Sequence, residues 1–390
     1  MNLKIKKNKL ILCLILLSII FENQLFHIIK IDNIIFKVIT IIFIFLSFFL
    51  VSYKKKVNKE ICIYISFIII FIFIFQFTYS IFILKKAIYG FLAESFRFLL
   101  IFAIPSFVHI FQDKKLNVLF WKNMKIIIFI QYLISIIAII ILEIKGINIT
   151  NRNFSYRSFG SISVSIYADS IFIPLVMIFS FYQILKKDEK LKWSDFLIII
   201  FGLLHSLLIT KSRAITISFL LSAFIMFVVS KGKNILKITI ITVCICFFKK
   251  YNLLNKIIHL KEGNFASSNQ GHLIAIQECW NYFLDHPLLG AGVNLDWPVS
   301  YCDAGFIGLL ANVGIGAFVI YILPLLKFIL VTIKQRFLFN KNFTILSFGY
   351  ISFTALTSVT LIMTDDVRMY GFVFILSILY VLINSKKTFC

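Results

Sequence analysis

Apolar runs of helix length, following one another with few interrupting charges, constrain this chain more than any other feature. After a shorter run at 10–21 they recur at 34–52, 61–84, 87–111, 125–142, 162–185, 193–210, 214–230, 235–251, 303–326, 343–363 and 369–384. Only helices and closed barrels pair all their backbone N–H and C=O groups inside a bilayer. Strands of a membrane barrel would alternate apolar and polar residues over about ten positions. These runs are instead continuous over most of the roughly 20 residues that a spanning helix needs. The chain is 60% hydrophobic, above the roughly one half usual for a soluble domain. The expected fold is therefore an all-α integral membrane protein. It would form a single membrane domain over 1–390, a polytopic bundle of about 12 transmembrane helices. The count falls to 11 if 235–251, shortened by Lys249 and Lys250, does not span.

Charge gives the orientation. Lys4, Lys6, Lys7 and Lys9 precede the first run, as in a signal peptide, but no small-residue cleavage site follows. With the N-terminus inside, most basic residues fall in loops on one side. They include Lys54, Lys55, Lys56 and Lys59; Lys114, Lys115, Lys122 and Lys125; Lys186, Lys187, Lys190 and Lys192; Lys231, Lys233 and Lys237; Lys327, Lys334, Arg336 and Lys341; and Lys386 and Lys387. The opposite topology would put them all outside, against the positive-inside rule. Both termini are then cytoplasmic, and the longest non-membrane interval, 252–302, is a large extracytoplasmic loop. The net charge of +23 is spread in short clusters between apolar runs. That pattern fits contact with anionic membrane lipid rather than nucleic acid.

The arginines break the pattern. There are six, against 34 lysines, and only Arg336 falls in an inner loop. Arg97, Arg152, Arg157, Arg213 and Arg368 lie on the outer side or within an apolar run. Lysine would satisfy a need for bare charge; the planar guanidinium grips phosphate oxygens by two bonds at once. These residues are candidates for an outward-facing site that takes a phosphorylated ligand. The plainer account is headgroup contact or local ion pairs. Glu94 and Arg97, three apart, share one helix face and would pair there. Asp169 is a similar intramembrane carboxylate, and His205 on an apolar run reads as a packed histidine. In Lys211-Ser212-Arg213, Ser212 suits a helix N-cap. A helix start beside an arginine is a natural anion site; a simple capped turn would look the same.

The interval 255–323 holds most of the remaining polar vocabulary. Residues 271–284 have helical periodicity, expected to lie as an amphipathic helix on the membrane surface until Pro287 ends it. Gly290 and Gly292 allow a tight turn with close backbone approach. Asp303 then stands at the mouth of the next apolar helix, as a cap or as a general base. That helix carries Gly305, Gly308, Ala311, Gly314 and Gly316, small residues suited to close packing. Cys279 and Cys302 fall in this interval, and spacing alone does not pair them. No CxxC pair or histidine cluster indicates a metal, and no cofactor is expected.

Three features in this order resemble the O-antigen polymerase and O-antigen ligase superfamily of bacterial membrane glycosyltransferases. They are the helix-opening Ser212-Arg213; the turn Pro287-Leu288-Leu289-Gly290-Ala291-Gly292; and Asp303-Ala304-Gly305-Phe306 leading to Gly314-Ile315-Gly316. The resemblance covers roughly 152–323 in motif and the remainder in layout. Ligase-type members usually carry a histidine where this chain has Asp303, and many members carry an arginine at the place of His272. The missing histidine favours the polymerase type. The resemblance implies a multi-pass enzyme of the bacterial cytoplasmic (inner) membrane that joins undecaprenyl-pyrophosphate-linked oligosaccharide repeat units on the outer face. Such an enzyme can work with a chain-length regulator protein. Arg213, then Arg157, then Arg97 and Arg368, with Arg152 and Lys211, would hold the pyrophosphate. Asp303 or His272 would orient the acceptor hydroxyl, with Arg213 in the catalytic group. A ligase shares this machinery. A lipid-linked oligosaccharide flippase would not need the large loop, and a solute transporter would often show two repeated halves, which this chain lacks.

Overall fold

The computed structural model describes residues 2–22, 33–53, 57–144, 172–186, 192–206, 213–230, 264–293, 305–338, 341–358 and 366–384. Every regular element among them is helical. In order these are α1 (Asn2–Glu22), α2 (Asn33–Ser52), α3 (Lys59–Ile83), α4 (Ile88–Leu99, a 3-10 turn at Leu100–Ala103, then Ile104–Gln112) and α5 (Lys114–Ile144). Then come α6 (Phe172–Leu185), α7 (Trp193–Leu204), α8 (Arg213–Val229), α9 (Asn264–Asp285) and α10 (Gly305–Val313). Last are α11 (Phe318–Ile322 continuing as Leu323–Leu338), α12 (Lys341–Ser358) and α13 (Asp366–Asn384). The all-α expectation holds for the described residues. Two of their helices, Lys59–Ile83 and Gly90–Gln112, are long and apolar enough to cross a membrane; six shorter apolar helices accompany them. The expected span 235–251 lies outside the described residues, as do 162–171.

Helices α4, α6 and α13 form the interior. From Ile104 to Phe111 every side chain of α4 is buried, as are most of α6 and α13. Phe107, Phe111, Phe120 and Phe374 meet mostly edge to face, and Trp121 stacks on Phe179 at 3.6 Å. Such aromatic geometry adds directional preference to a core that is otherwise shape-fitted. Buried hydroxyls cross between helices. Ser47 and Ser106 share a 2.9 Å bond, Tyr350 donates to Leu175 O at 3.0 Å and Tyr321 to Thr354 O at 3.2 Å. The outer helices turn large apolar side chains outward, among them Phe49, Ile63, Phe82, Ile83 and Trp193. In α3 only 28% of the most apolar stretch is buried, unlike the core helix of a water-soluble domain.

Helix α3 carries two π segments, Phe71–Gln76 and Tyr79–Ile83; three further departures from plain α geometry have local reasons. Pro105 has no N–H for the carbonyl four residues earlier, and the chain tightens into the 3-10 turn just before it. In α11 the α-helical donor to Ile320 O would be the amide of residue 324, which is Pro324. A π segment, Phe318–Ile322, precedes it, and the Tyr64 hydroxyl of α3 donates to Ile320 O at 2.6 Å. The third is the apolar run 303–326. It is not one span in the described residues: α10 ends at Val313, and α11 begins only after a break at Gly314.

Chain direction sorts the described helices into two poles. Helix α3 has 25 residues and runs from one pole to the other. At its Lys59 end, Glu60 pairs with Lys327 of α11 at 2.9 Å. Nearby, His109 meets Asn8 at 3.3 Å, and Lys7 lies 5.7 Å from the Tyr53 ring centroid. Tyr380, near the end of α13, lines cavities here with Glu60 and His109. Lys125 of α5 bonds Asp195 in the first turn of α7. This is a lysine-rich pole. At the other end of α3 lie the turn after α9 and the starts of α4 and α13.

Candidate functional site

The far end of α3 meets a clasp built almost entirely of backbone. After α9 ends at Asp285, Gly290 N donates to His286 O at 2.8 Å and closes a tight turn. Gly314 N closes α10 on Leu310 O at 2.8 Å. The two then interlock. Ala291 N donates to Ala311 O at 2.7 Å, and Ile315 N donates to Pro287 O at 2.9 Å. The close approach explains the glycines. Gly290 has φ +70° and Gly314 φ +58°, a region costly for residues with a Cβ. A Cβ on Gly290 would lie 2.6 Å from Ala311 O, and one on Gly314 would lie 2.5 Å from Leu288 O. Cys279, Ala291 and Ala311 fill the small apolar centre behind them; Cys302 lies outside the described residues.

Helix α3 supplies a polar bed. Gln76, fully buried, donates from Nε2 to Leu289 O at 2.7 Å. One turn on, buried Ser80 lies against Gly292. Asn312 of α10 donates to Gly308 O at 2.9 Å. Gln76 Oε1, Ser80 Oγ and Asn312 Oδ1 have no hydrogen-bond partner among the described residues. Sequence reasoning passed over all three. The available signal was a glutamine and a serine four apart on one face of an otherwise apolar helix. On the solvent side the turn presents Asp285 and His286, both exposed.

The expected site residues fall around this pole as follows. Arg97 is described in full. It is 3% exposed, its guanidinium 5.2 Å from the Phe98 ring centroid. It therefore sits inside the bundle, where a ligand would reach it only between helices. Arg213 is the first described residue of α8, and Arg368 lies in the first turn of α13. His272 is within α9; the side chains of these three residues lie outside the described set. Arg152, Arg157, Lys211, Ser212 and Asp303 lie outside the described residues, as does Asp169; the side chain of Glu94 does too. The Ile88–Leu99 segment that carries Arg97 packs against α13, which carries Arg368. Because α13 ends at the lysine-rich pole, Arg368 starts it at the clasp pole. Helix α8 packs on α6 and α12, and Thr216 in its second turn bonds Ser206 at 3.0 Å. His205 is packed, as expected, 2% exposed with the Tyr132 ring centroid 5.5 Å away.

Of the expected loop 252–302, residues 264–293 are described. They form α9 and its turn rather than an irregular segment. Helix α9 begins seven residues before the periodicity at 271–284 and buries Ala275 and Cys279 toward α10. Leu273, Leu284 and Trp280 are left exposed. No family model and no curated protein matches the chain.

Proposed function

We propose that this chain is a polytopic membrane glycosyltransferase, an O-antigen or surface-polysaccharide polymerase working on the outer face of the bacterial cytoplasmic membrane. The observation that carries the reading is the pairing of the two glycine blocks on which the family resemblance rests. Their turn and helix break are joined by two backbone hydrogen bonds, at the pole where α4 and α13 begin. The apolar outer surface of α3 supports membrane insertion, because a 25-residue helix so little buried is unfavourable in water. The lysine-rich pole is then the cytoplasmic one. The twelve-span layout, with both termini inside and 252–302 outside, belongs to this proposal.

In the reaction, the donor is a growing glycan on undecaprenyl pyrophosphate and the acceptor is one repeat unit on its own carrier. The acceptor hydroxyl forms a bond to the donor's anomeric carbon. The bond from that carbon to the pyrophosphate oxygen breaks, and the leaving group departs with the electron pair. Asp303 takes the hydroxyl proton. Arg213 and Arg368, each at a helix start where backbone N–H groups are unsatisfied, meet the pyrophosphate with Arg157, Arg97, Arg152 and Lys211. Fixed positive groups aimed at developing negative charge are commonly the largest catalytic contribution. His272, on the helix leading into the clasp, would help to orient the acceptor hydroxyl. A chain-length regulator protein is the expected partner.

Purified protein given lipid-linked repeat units tests this directly. Arg213→Lys keeps the charge and loses the fork; polymer formation should fall by about 10²-fold or more at normal protein level. Asp303→Asn should slow turnover by about 10²–10⁴-fold. Wild-type polymer length in Arg213→Lys, or unchanged turnover in Asp303→Asn, would remove those roles.

A further inference from the structure

The lysine-rich pole holds a second site, unrelated to the glycosyl-transfer chemistry. Between α3 and α11, floored by α4 and α13, lies a cavity of about 450 Å³. That is within the range of small-molecule sites, about 300–1,000 Å³. Ile61, Tyr64, Phe67, Leu323, Phe328 and Leu376 line it. Tyr64 turns no polar group into the cavity, because its hydroxyl is used on Ile320 O. Among the described residues, the charged groups lining it are Glu60 and Lys327, paired at 2.9 Å and both more than half exposed. An ion pair this exposed is weak and exchanges readily.

We infer that this cavity holds one acyl chain of an anionic phospholipid, whose phosphate takes Lys327 from Glu60. Two observations select that occupant. Two of its apolar lining side chains, Ile63 and Leu323, are more than half exposed, so under the membrane reading the cavity opens sideways into hydrocarbon. The local charge is positive: Lys59 adjoins Glu60, and Lys334 lies seven residues beyond Lys327 on the same face of α11. A basic mouth above an apolar slot on the cytoplasmic side matches an anionic headgroup. The clasp lies at the opposite end of α3, so this lipid is not the polyprenyl donor or acceptor. Its effect is on the α3–α11 contact. The inference rests on the membrane part of the proposed function and not on the enzymatic part.

The test is thermal unfolding of the purified protein in neutral detergent, with phosphatidylglycerol, phosphatidylcholine or glycerol phosphate added. Phosphatidylglycerol should raise the midpoint by several degrees, phosphatidylcholine by less and glycerol phosphate not at all. Lys327→Ala should erase the preference for phosphatidylglycerol, and Glu60→Gln, which frees the ammonium, should increase it. Leu323→Trp, filling the slot, should abolish the lipid effect, while Leu326→Trp, outside it, should not. Equal stabilisation by both lipids, full stabilisation by glycerol phosphate, or a lipid effect that survives Leu323→Trp would overturn the inference. Alkaline carbonate extraction of membranes separates the failures. Release of the protein would overturn the membrane reading itself; retention without a phosphatidylglycerol effect would overturn only the lipid site.

Discussion

The two poles of the bundle are held by opposite chemistries. At the lysine-rich pole, side chains make the cross-helix contacts: Lys125 with Asp195, Lys327 with Glu60, His109 with Asn8. At the clasp pole the contacts are amide to carbonyl, and glycines let the backbones touch. Side-chain ion pairs can be remade around a changing partner, because long side chains move cheaply at a surface. A backbone clasp has one geometry. The difference matches what the two proposals need: side chains that adapt to a lipid surface at one pole, and fixed placement of a segment at the other.

The sharpest way to break this contrast is to damage each pole and ask which property suffers. Asp195 is 2% exposed and Lys125 17%, so their pair is far more buried than Glu60–Lys327. Asp195→Ala leaves a partly buried ammonium without its carboxylate and should cost up to about 3 kcal/mol of stability. Turnover per folded molecule should be nearly unchanged, as checked by unfolding and activity on the same preparation. Gly314→Ala combines the αL penalty, about 1–2 kcal/mol, with overpacking of about 1–3 kcal/mol. Its stability loss should be comparable, yet under the proposed function turnover should collapse, because the clasp fixes the end of α10, the helix that follows Asp303 in the chain. If Gly314→Ala lost only stability, the clasp would be a packing feature and not part of the site. The mildest change is Tyr64→Phe. It removes the donor to Ile320 O and should cost about 0.5–1.5 kcal/mol, read as a lowered unfolding midpoint without loss of turnover.

These contrasts also show what could be read from the residues alone. The all-α class followed from the continuity of the apolar runs, and the helix at 271–284 and its stop before Pro287 from periodicity and proline chemistry. The glycines at 290 and 314 were legible as places of close backbone approach. That they approach each other was not, since neither block names its partner. The break at Gly314 was hidden for the same reason: hydropathy averages over a residue that has a positive φ and leaves no room for a Cβ beside the Leu288 carbonyl across the turn. Gln76 and Ser80 were missed because two polar residues barely lower the apolar character of α3. Their meaning comes from the turn laid over them. Arg97 shows the reverse: its type drew attention, and only the fold shows that it is buried inside the bundle.

Lysine positions set the expected orientation and a family likeness the expected chemistry, which the proposal locates at the clasp pole. The most direct measurement is the surface glycan of cells lacking this protein, resolved by length. The account predicts that the polymer ladder collapses to single repeat units on the lipid core and returns with wild-type protein but not with Arg213→Lys. An unchanged ladder would contradict it. So would loss of all attached glycan with polymer still on its carrier, the result expected of a ligase.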